Sequence, residues 1–410
     1  MFGADPSCTA HANVWVDVAT MRRGMPYARP SSRAVDPIHV ALFCPTMGMG
    51  GAERMFRRLA VAFTQAGLRV DVVTASEGGA NAEGLPTTVR AVNLGCRRML
   101  TSVPSLVRYL NEATPDVLVS TLAHANIPAI WACGLVRKRP QLIVREANTL
   151  SMDCSESAFA FRNRFLPLLA TLFYPRADAV VAVSRGVAKD LAENLRIPKS
   201  VIRVIHNPTV DDEVFRLLRE PVRHPWFEDD GPPVLLSVGR LTAQKRFEVL
   251  VRAVSLVRQR RLVRLVILGE GGERERLESL VQELGLGDCV SLPGFDSNPY
   301  AYMARARLYV MSSAWEGFPN SVVEALACGL AVVSTDCPSG PREILDTNLL
   351  GTGSYGTLVP VDDPRELAEA ILTELDVYRD RDQLRRRAQA FTSQRAARSY
   401  MDLMRTRRGL

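Results

Sequence analysis

The chain has 410 residues, 47% of them hydrophobic and 23% charged, with a formal charge of +7. This length exceeds one ordinary core and predicts two domains of about 180 residues each, while the balance of apolar and charged residues excludes extended disorder. No apolar run reaches the roughly 18 residues that cross a bilayer, and the eight cysteines show neither paired nor metal-type spacing, so they read as reduced core residues.

Residues 1–36 carry no convincing period and end in a stretch rich in Pro, Arg and Ser. They predict a disordered tail, or a start placed upstream of Met21 or Met25. With no early basic region, and with Asp17 interrupting the one weakly apolar stretch, no secretory signal is expected and the predicted place is the cytoplasm. From residue 37 the pattern changes. Ile38 to Cys44 reads as a buried strand, followed by the glycine loop Gly48-Met-Gly50-Gly51-Ala-Glu53 and a helix with Met55, Leu59, Ala62, Phe63 and Ala66 on one face. Short strands follow at 70–74, 117–120, 142–144, 179–183 and 201–205, with helical segments between most of them. This alternation predicts a parallel sheet covered on both faces, over residues 37–220.

Residues 221–233, rich in proline and acidic side chains, read as a linker. A second series of strands at 234–238, 263–268, 289–292, 308–311 and 331–334 predicts a second domain over 234–384. A last helix, about 385–404, follows within a final segment 385–410. The fold class is therefore α/β, with two doubly wound Rossmann-like domains facing a cleft, where ligands sit beyond the carboxyl ends of the strands.

Both glycine loops fail as dinucleotide fingerprints, because Glu53 and Arg274 stand where a third glycine belongs. The loop after the second domain's first strand, Gly239-Arg240-Leu241-Thr-Ala-Gln-Lys245, carries two cations. Only four of the 51 basic residues are lysine, so Lys245 departs from this chain's default cation. Glu316 and Glu324 lie eight positions apart in Glu316-Gly317-Phe318-Pro319-Asn320-Ser321-Val-Val-Glu324, with a turn-forming run between them and an apolar helix after. Ser321 or Asn320 is predicted to cap that helix, and its first turn is expected to carry Glu324. Two readings stay open from spacing alone: Glu324 closes a capping box on the helix start, or the two carboxylates face a polyhydroxyl ligand.

Taken together, these segments resemble the donor site of the retaining glycosyltransferases with the two-domain GT-B fold, the large bacterial polysaccharide and lipopolysaccharide family (family 4, group 1), over about residues 38–404. The resemblance implies a nucleotide-sugar donor, UDP-hexose or UDP-N-acetylhexosamine, and a lipid-linked or lipopolysaccharide saccharide acceptor. It implies Gly50 and Gly51 near the donor's phosphates and sugar, Arg240 and Lys245 on the diphosphate, Glu324 on the ribose and Glu316 on the donor sugar. The backbone from Gly317 through Phe318, Pro319 and Asn320 to Ser321 would complete that site. His124, after a first-domain strand, matches a histidine that many relatives place near the sugar, and Arg145, Glu146 and Asn148 become acceptor candidates.

Neither a cofactor nor a metal is expected, since the lone Asp380-Arg-Asp382 lies in a charged helical stretch. The positive charge suggests acidic surroundings, anionic lipid or an acidic glycan, and the segment from Arg162 to Arg176, apolar between flanking arginines, predicts contact with an anionic membrane surface, with a buried helix as the alternative. Nucleic acid is not an expected partner, for no basic stripe with interleaved aromatics appears. A nucleotide-sugar epimerase of the same architecture and a non-catalytic nucleotide-sugar-binding protein remain as other classes.

Overall fold

The computed structural model describes residues 16–17, 37–48, 50–76, 79, 84–153, 165–228, 230–347 and 350–405. Its first sheet contains β1 (Val16–Asp17), β2 (His39–Cys44), β3 (Arg69–Thr74), β4 (Arg90–Asn93), β5 (Val117–Thr121), β6 (Gln141–Glu146), β7 (Ala179–Ala182) and β8 (Ile202–Val204). Their spatial order is β1-β4-β3-β2-β5-β6-β7-β8, every neighbour parallel. The second sheet contains β9 (Val234–Val238), β10 (Arg264–Leu268), β11 (Val290–Gly294), β12 (Leu308–Met311), β13 (Val332–Thr335), β14 (Gly351–Thr352) and β15 (Thr357–Val359), ordered β11-β10-β9-β12-β13-β15-β14. Only β14 runs antiparallel there.

Side-chain alternation along the strands explains why both faces are covered. In β2, Val40, Leu42 and Cys44 enter one apolar cluster while Ala41 and Phe43 enter another; in β9, Leu235 and Leu236 divide in the same way. The cluster containing Ala41 and Phe43 continues through Leu236, Tyr300, Phe318 and Phe391, so a single apolar layer runs through both domains. Each sheet reverses its winding once, between β2 and β5 and between β9 and β12. Ligands of doubly wound sheets bind at such points, and the four loops there carry Gly50, His124, Lys245 and Glu316.

Several details depart from the sequence reading. Val16–Asp17, within the segment expected to be a tail, pairs with Val92 and Asn93 at the open edge of the first sheet; the remainder of residues 1–36 lies outside the described residues. The segment read as a linker is anchored: His224 contacts Ser291 at 3.1 Å and Phe227 packs edge-on against Tyr302. The helix expected over 385–404 is two helices, Arg381–Ala388 and Ser393–Arg405, separated by a 3-10 turn at Gln389–Phe391 whose Phe391 carbonyl accepts from the Thr209 and Val210 amides. The second of these helices lies on the first domain, where Tyr400 meets Phe63 edge to face and the Leu403 carbonyl accepts from Gln141. Among the cysteines, Cys44, Cys133, Cys289, Cys328 and Cys337 are buried and unpaired and Cys96 is half-buried, whereas Cys8 and Cys154 lie outside the described residues.

Candidate active site

The loops at the two switch points meet between the domains. After β9, the chain turns through Gly239 and the exposed Arg240 into the 3-10 turn Ala243–Lys245, and the Lys245 carbonyl is held by the Ser312 hydroxyl at 2.8 Å. After β12, the Gln244 side chain donates to the Trp315 carbonyl at 2.7 Å and fixes the second loop against the first. Lys245 Nζ and Glu316 Oε1 thereby form an ion pair at 2.5 Å, with the Ser313 hydroxyl donating to the same oxygen at 2.7 Å. Glu316 is only 7% exposed. A carboxylate so withdrawn from water needs such partners. Arg240 has no side-chain partner among the described residues, so one cation of the loop is engaged and the other is free.

The first domain closes over this pair. Thr149 donates to the Glu316 carbonyl at 2.7 Å and lies 3.1 Å from Ser339 Oγ. Gly317 has to be glycine for a steric reason: a Cβ there would sit 2.0 Å from the Ala147 carbonyl oxygen and 2.7 Å from Asn148 Cα. Gly269 and Gly271 serve a comparable packing need, since a Cβ at either would strike the Gly239–Leu241 backbone.

The helix Asn320–Ala327 starts at the same place and differs from expectation at its first turn. Pro319 is the N-cap, no side chain caps it, and Asn320 is already helical. Glu324 consequently stands in the second turn, too far along to close a capping box. Asn320 Oδ1 instead accepts from Asn207 at 2.8 Å and Thr209 at 3.1 Å, both in the first domain, while Ser321 hydrogen-bonds the buried Tyr309 hydroxyl. Phe318 stacks on His206 at 5.3 Å and meets Phe391 edge-on, and Pro319 packs beneath Gly340, whose φ of +100° only glycine adopts readily. Opposite stands the start of the helix Gly51–Gln65, with Gly50 as an extended N-cap and Gly51 so close to the other domain that a Cβ there would lie 3.7 Å from Asn320 Nδ2. A helix amino end favours negative charge, and at the helix Gly51–Gln65 the Glu53 carboxylate already lies beside Gly50.

Glu324 lies in a buried cluster that joins the domains. Tyr300 donates to Glu324 Oε1 at 3.1 Å and itself accepts from Arg58 at 2.9 Å and Arg54 at 3.2 Å, both on the helix Gly51–Gln65. Arg58 also pairs with Asp211 at 2.9 Å. Burial, followed by the Glu324 carboxylate, pushes the Tyr300 hydroxyl up to about 12, so it stays protonated and can donate. These arginines and Tyr300 were not singled out from the sequence. Their signal was the four-residue spacing of Arg54 and Arg58 on an otherwise apolar helix face, which puts two cations where a core would be expected.

His124 is exposed at the second position of the helix Ala123–Leu135, directly after β5. The acceptor residues fare differently. Arg145 is buried and donates to Thr121 and Asn207, and Glu146 is buried and accepts from Tyr174 at 2.7 Å. Both are buried beneath the cleft and held there by these bonds, whereas Asn148 is half-buried at the interdomain surface. Among the described residues, no group of three His, Cys, Asp or Glu side chains is placed to hold a metal. Asp380 caps the helix Arg381–Ala388 through the Asp382 amide, far from this chemistry in role.

Residues 219–391 match the model for "Glycosyl transferases group 1" and residues 49–213 that for "Glycosyltransferase Family 4". The chain is 34% identical over 287 residues, covering 68% of it and 73% of the relative, to the N-acetylgalactosamine-N,N'-diacetylbacillosaminyl-diphospho-undecaprenol 4-alpha-N-acetylgalactosaminyltransferase of Campylobacter jejuni. It is 23% identical over 319 residues to the lipopolysaccharide 1,6-galactosyltransferase of Escherichia coli K12, with 74% of this chain and 81% of that one aligned. The structure of HepE from Anabaena in complex with UDP superposes with a TM-score of 0.68 at 21% identity, covering 91% of this chain and 100% of HepE. At that identity the likeness concerns the fold, two parallel-sheet domains.

Proposed function

The chain belongs to the group 1 and family 4 glycosyltransferases, and from that premise we propose that it moves a hexose or N-acetylhexosamine from a uridine diphosphate donor to a saccharide acceptor in lipopolysaccharide or surface polysaccharide synthesis. The observation that carries the donor side is the grouping of Arg240, Lys245 and two facing helix amino ends at the switch points of both sheets. Charge that develops on a departing diphosphate would be met by the two cations and the helix dipole, without a metal. Glu316 would hold the donor sugar, Glu324 the ribose, and His124 would approach the sugar from the first domain. The acceptor hydroxyl would attack the anomeric carbon on the face the diphosphate leaves, passing its proton to the leaving oxygen and retaining configuration.

The acceptor is proposed to be lipid-linked, and the enzyme to work peripherally at an anionic membrane surface. The name of the Campylobacter relative specifies a diphospho-undecaprenol-linked acceptor. In this chain, Phe165, Leu168 and Leu172, beside and on the helix Leu166–Phe173, are more than half exposed, and Arg176 stacks on Phe173 at 5.0 Å. Such a face suits an interface between lipid and water. Arg162 and Arg164, the other flank of that segment, lie outside the described residues. No helix among the described residues is long and apolar enough to cross a membrane.

The test is turnover of a panel of nucleotide sugars with a lipid-linked saccharide acceptor, with and without excess chelator, followed by proton NMR of the product. Transfer that survives chelation and yields the donor's anomeric configuration is the expected result. Donor conversion without an acceptor would point to an epimerase, and binding without turnover to a regulatory module.

A further inference from the structure

Glu324 is buried, yet its two oxygens are treated unequally. Among the described residues, every hydrogen bond and ion pair of its side chain falls on Oε1: the Tyr300 hydroxyl at 3.1 Å, Arg54 at 3.6 Å and Arg58 at 3.7 Å. Oε2 accepts from no described residue. The two guanidinium groups stop short of a direct hydrogen bond to the carboxylate because the Tyr300 hydroxyl lies between them and it, accepting from both and donating once. Arg58 is held on its other side by Asp211, which also caps the helix Asp212–Leu217. Within this geometry the phenol spaces the arginines away from Glu324; without it, either could swing onto the carboxylate in a two-point pair and take both oxygens.

We propose that Tyr300, backed by Arg54 and Arg58 of the opposite domain, is a positioning residue that ties up Glu324 Oε1 and keeps Oε2 open to accept a hydroxyl of the donor's ribose. This inference rests on the ribose role of Glu324 proposed above and adds a partition of labour among residues of both domains. Because the arginines come from the first domain, ribose recognition is complete only when the domains stand as they do here. Recognition of the sugar of the nucleotide is thus coupled to domain closure.

The experiment compares the affinity of UDP with that of 2′-deoxy-UDP by titration calorimetry on the full chain. The wild type should prefer the ribonucleotide about ten-fold or more, as expected for a hydrogen bond to a charged group. Glu324→Gln should erase most of that preference, and Tyr300→Phe should reduce it to less than about three-fold while the affinity for 2′-deoxy-UDP stays within about two-fold. A merely structural Tyr300 would weaken both ligands alike and leave the ratio untouched, which overturns the inference. If Glu324→Gln keeps the wild-type ratio, or UDP does not bind, the ribose reading itself fails; if only Tyr300→Phe keeps it, the positioning role fails alone. Should Tyr300→Phe not fold, Arg54→Met, at a half-buried position, carries the same comparison, with a reduced ratio expected and an unchanged one refuting.

Discussion

Replacing Gly317 by alanine tests whether the approach of the two domains is a condition for donor binding. The added Cβ would meet the Ala147 carbonyl oxygen at 2.0 Å, against the 3.4 Å at which ordinary contact begins, and the obstacle is backbone on both sides. Neither domain's own core is touched, so the strain is relieved by parting the domains. That separation stretches the Thr149 hydrogen bonds to the Glu316 carbonyl and to Ser339. Two such bonds at about 0.5–1.5 kcal/mol each put the cost near 1–3 kcal/mol, in the range of other overpacking substitutions. Since closure must then be restored at each binding event, UDP affinity should fall roughly 5- to 150-fold. Titration calorimetry and thermal melting measure the two effects. Gly134→Ala is the control, because a Cβ there meets nothing within 4 Å inside the helix Ala123–Leu135; it should add about 0.5–1 kcal/mol of stability and leave binding alone. A Gly317→Ala protein with wild-type melting and wild-type affinity would refute the argument from closure.

Lys245→Ala should weaken UDP binding roughly 10- to 150-fold and uridine binding far less, because the lysine is assigned to the diphosphate; equal losses in calorimetry would remove that assignment. Acid should unfold the protein in part through Asp71. Although burial alone would raise its carboxyl, His39 at 3.1 Å, a hydrogen bond from Tyr109 and the nearby Arg90 hold it below the usual carboxylate range. A depressed carboxylate stabilises the fold above its unfolded value and loses that stabilisation as pH falls through the folded one, so the limb below about pH 4 should flatten in Asp71→Asn. At neutral pH the same variant should be less stable by about 1–3 kcal/mol, since it removes the buried carboxylate that accepts from Tyr109 and pairs with Arg90; an unchanged melting curve would contradict this. Phe165→Ser, Leu168→Ser and Leu172→Ser together should abolish flotation with anionic vesicles without lowering the melting temperature, and retained flotation would exclude this helix as the contact.

Much of the architecture was legible because parallel strands buried on both faces leave short apolar runs, and the runs at β2, β5, β9 and β12 declare themselves by residue type alone. The segments that meet at the cleft were legible for a related reason: glycines and cations directly after such a strand have a fixed place at the carboxyl edge of a doubly wound sheet. Where signals were short they failed, as at Arg90–Asn93 and Thr357–Val359, too brief for any period to show. The break between Ala388 and Ser393 escaped notice too, because nothing local announces that the Phe391 carbonyl will be taken by Thr209 and Val210 from the other domain.

What local sequence could not decide was how each polar side chain divides its bonds across the cleft. Arg145 and Glu146 follow a strand into the cleft and look available, but burial beneath it gives both to Thr121, Asn207 and Tyr174. Spacing left a capping box open for Glu324 until the N-cap was placed at Pro319, and its partners Arg54, Arg58 and Tyr300 are remote in sequence. Propensity and spacing act within a few residues and determined the strands, the glycine turns and the placing of cations. The pairing of buried charges depends on which groups lose water together, and only the docking of one domain on the other decided that.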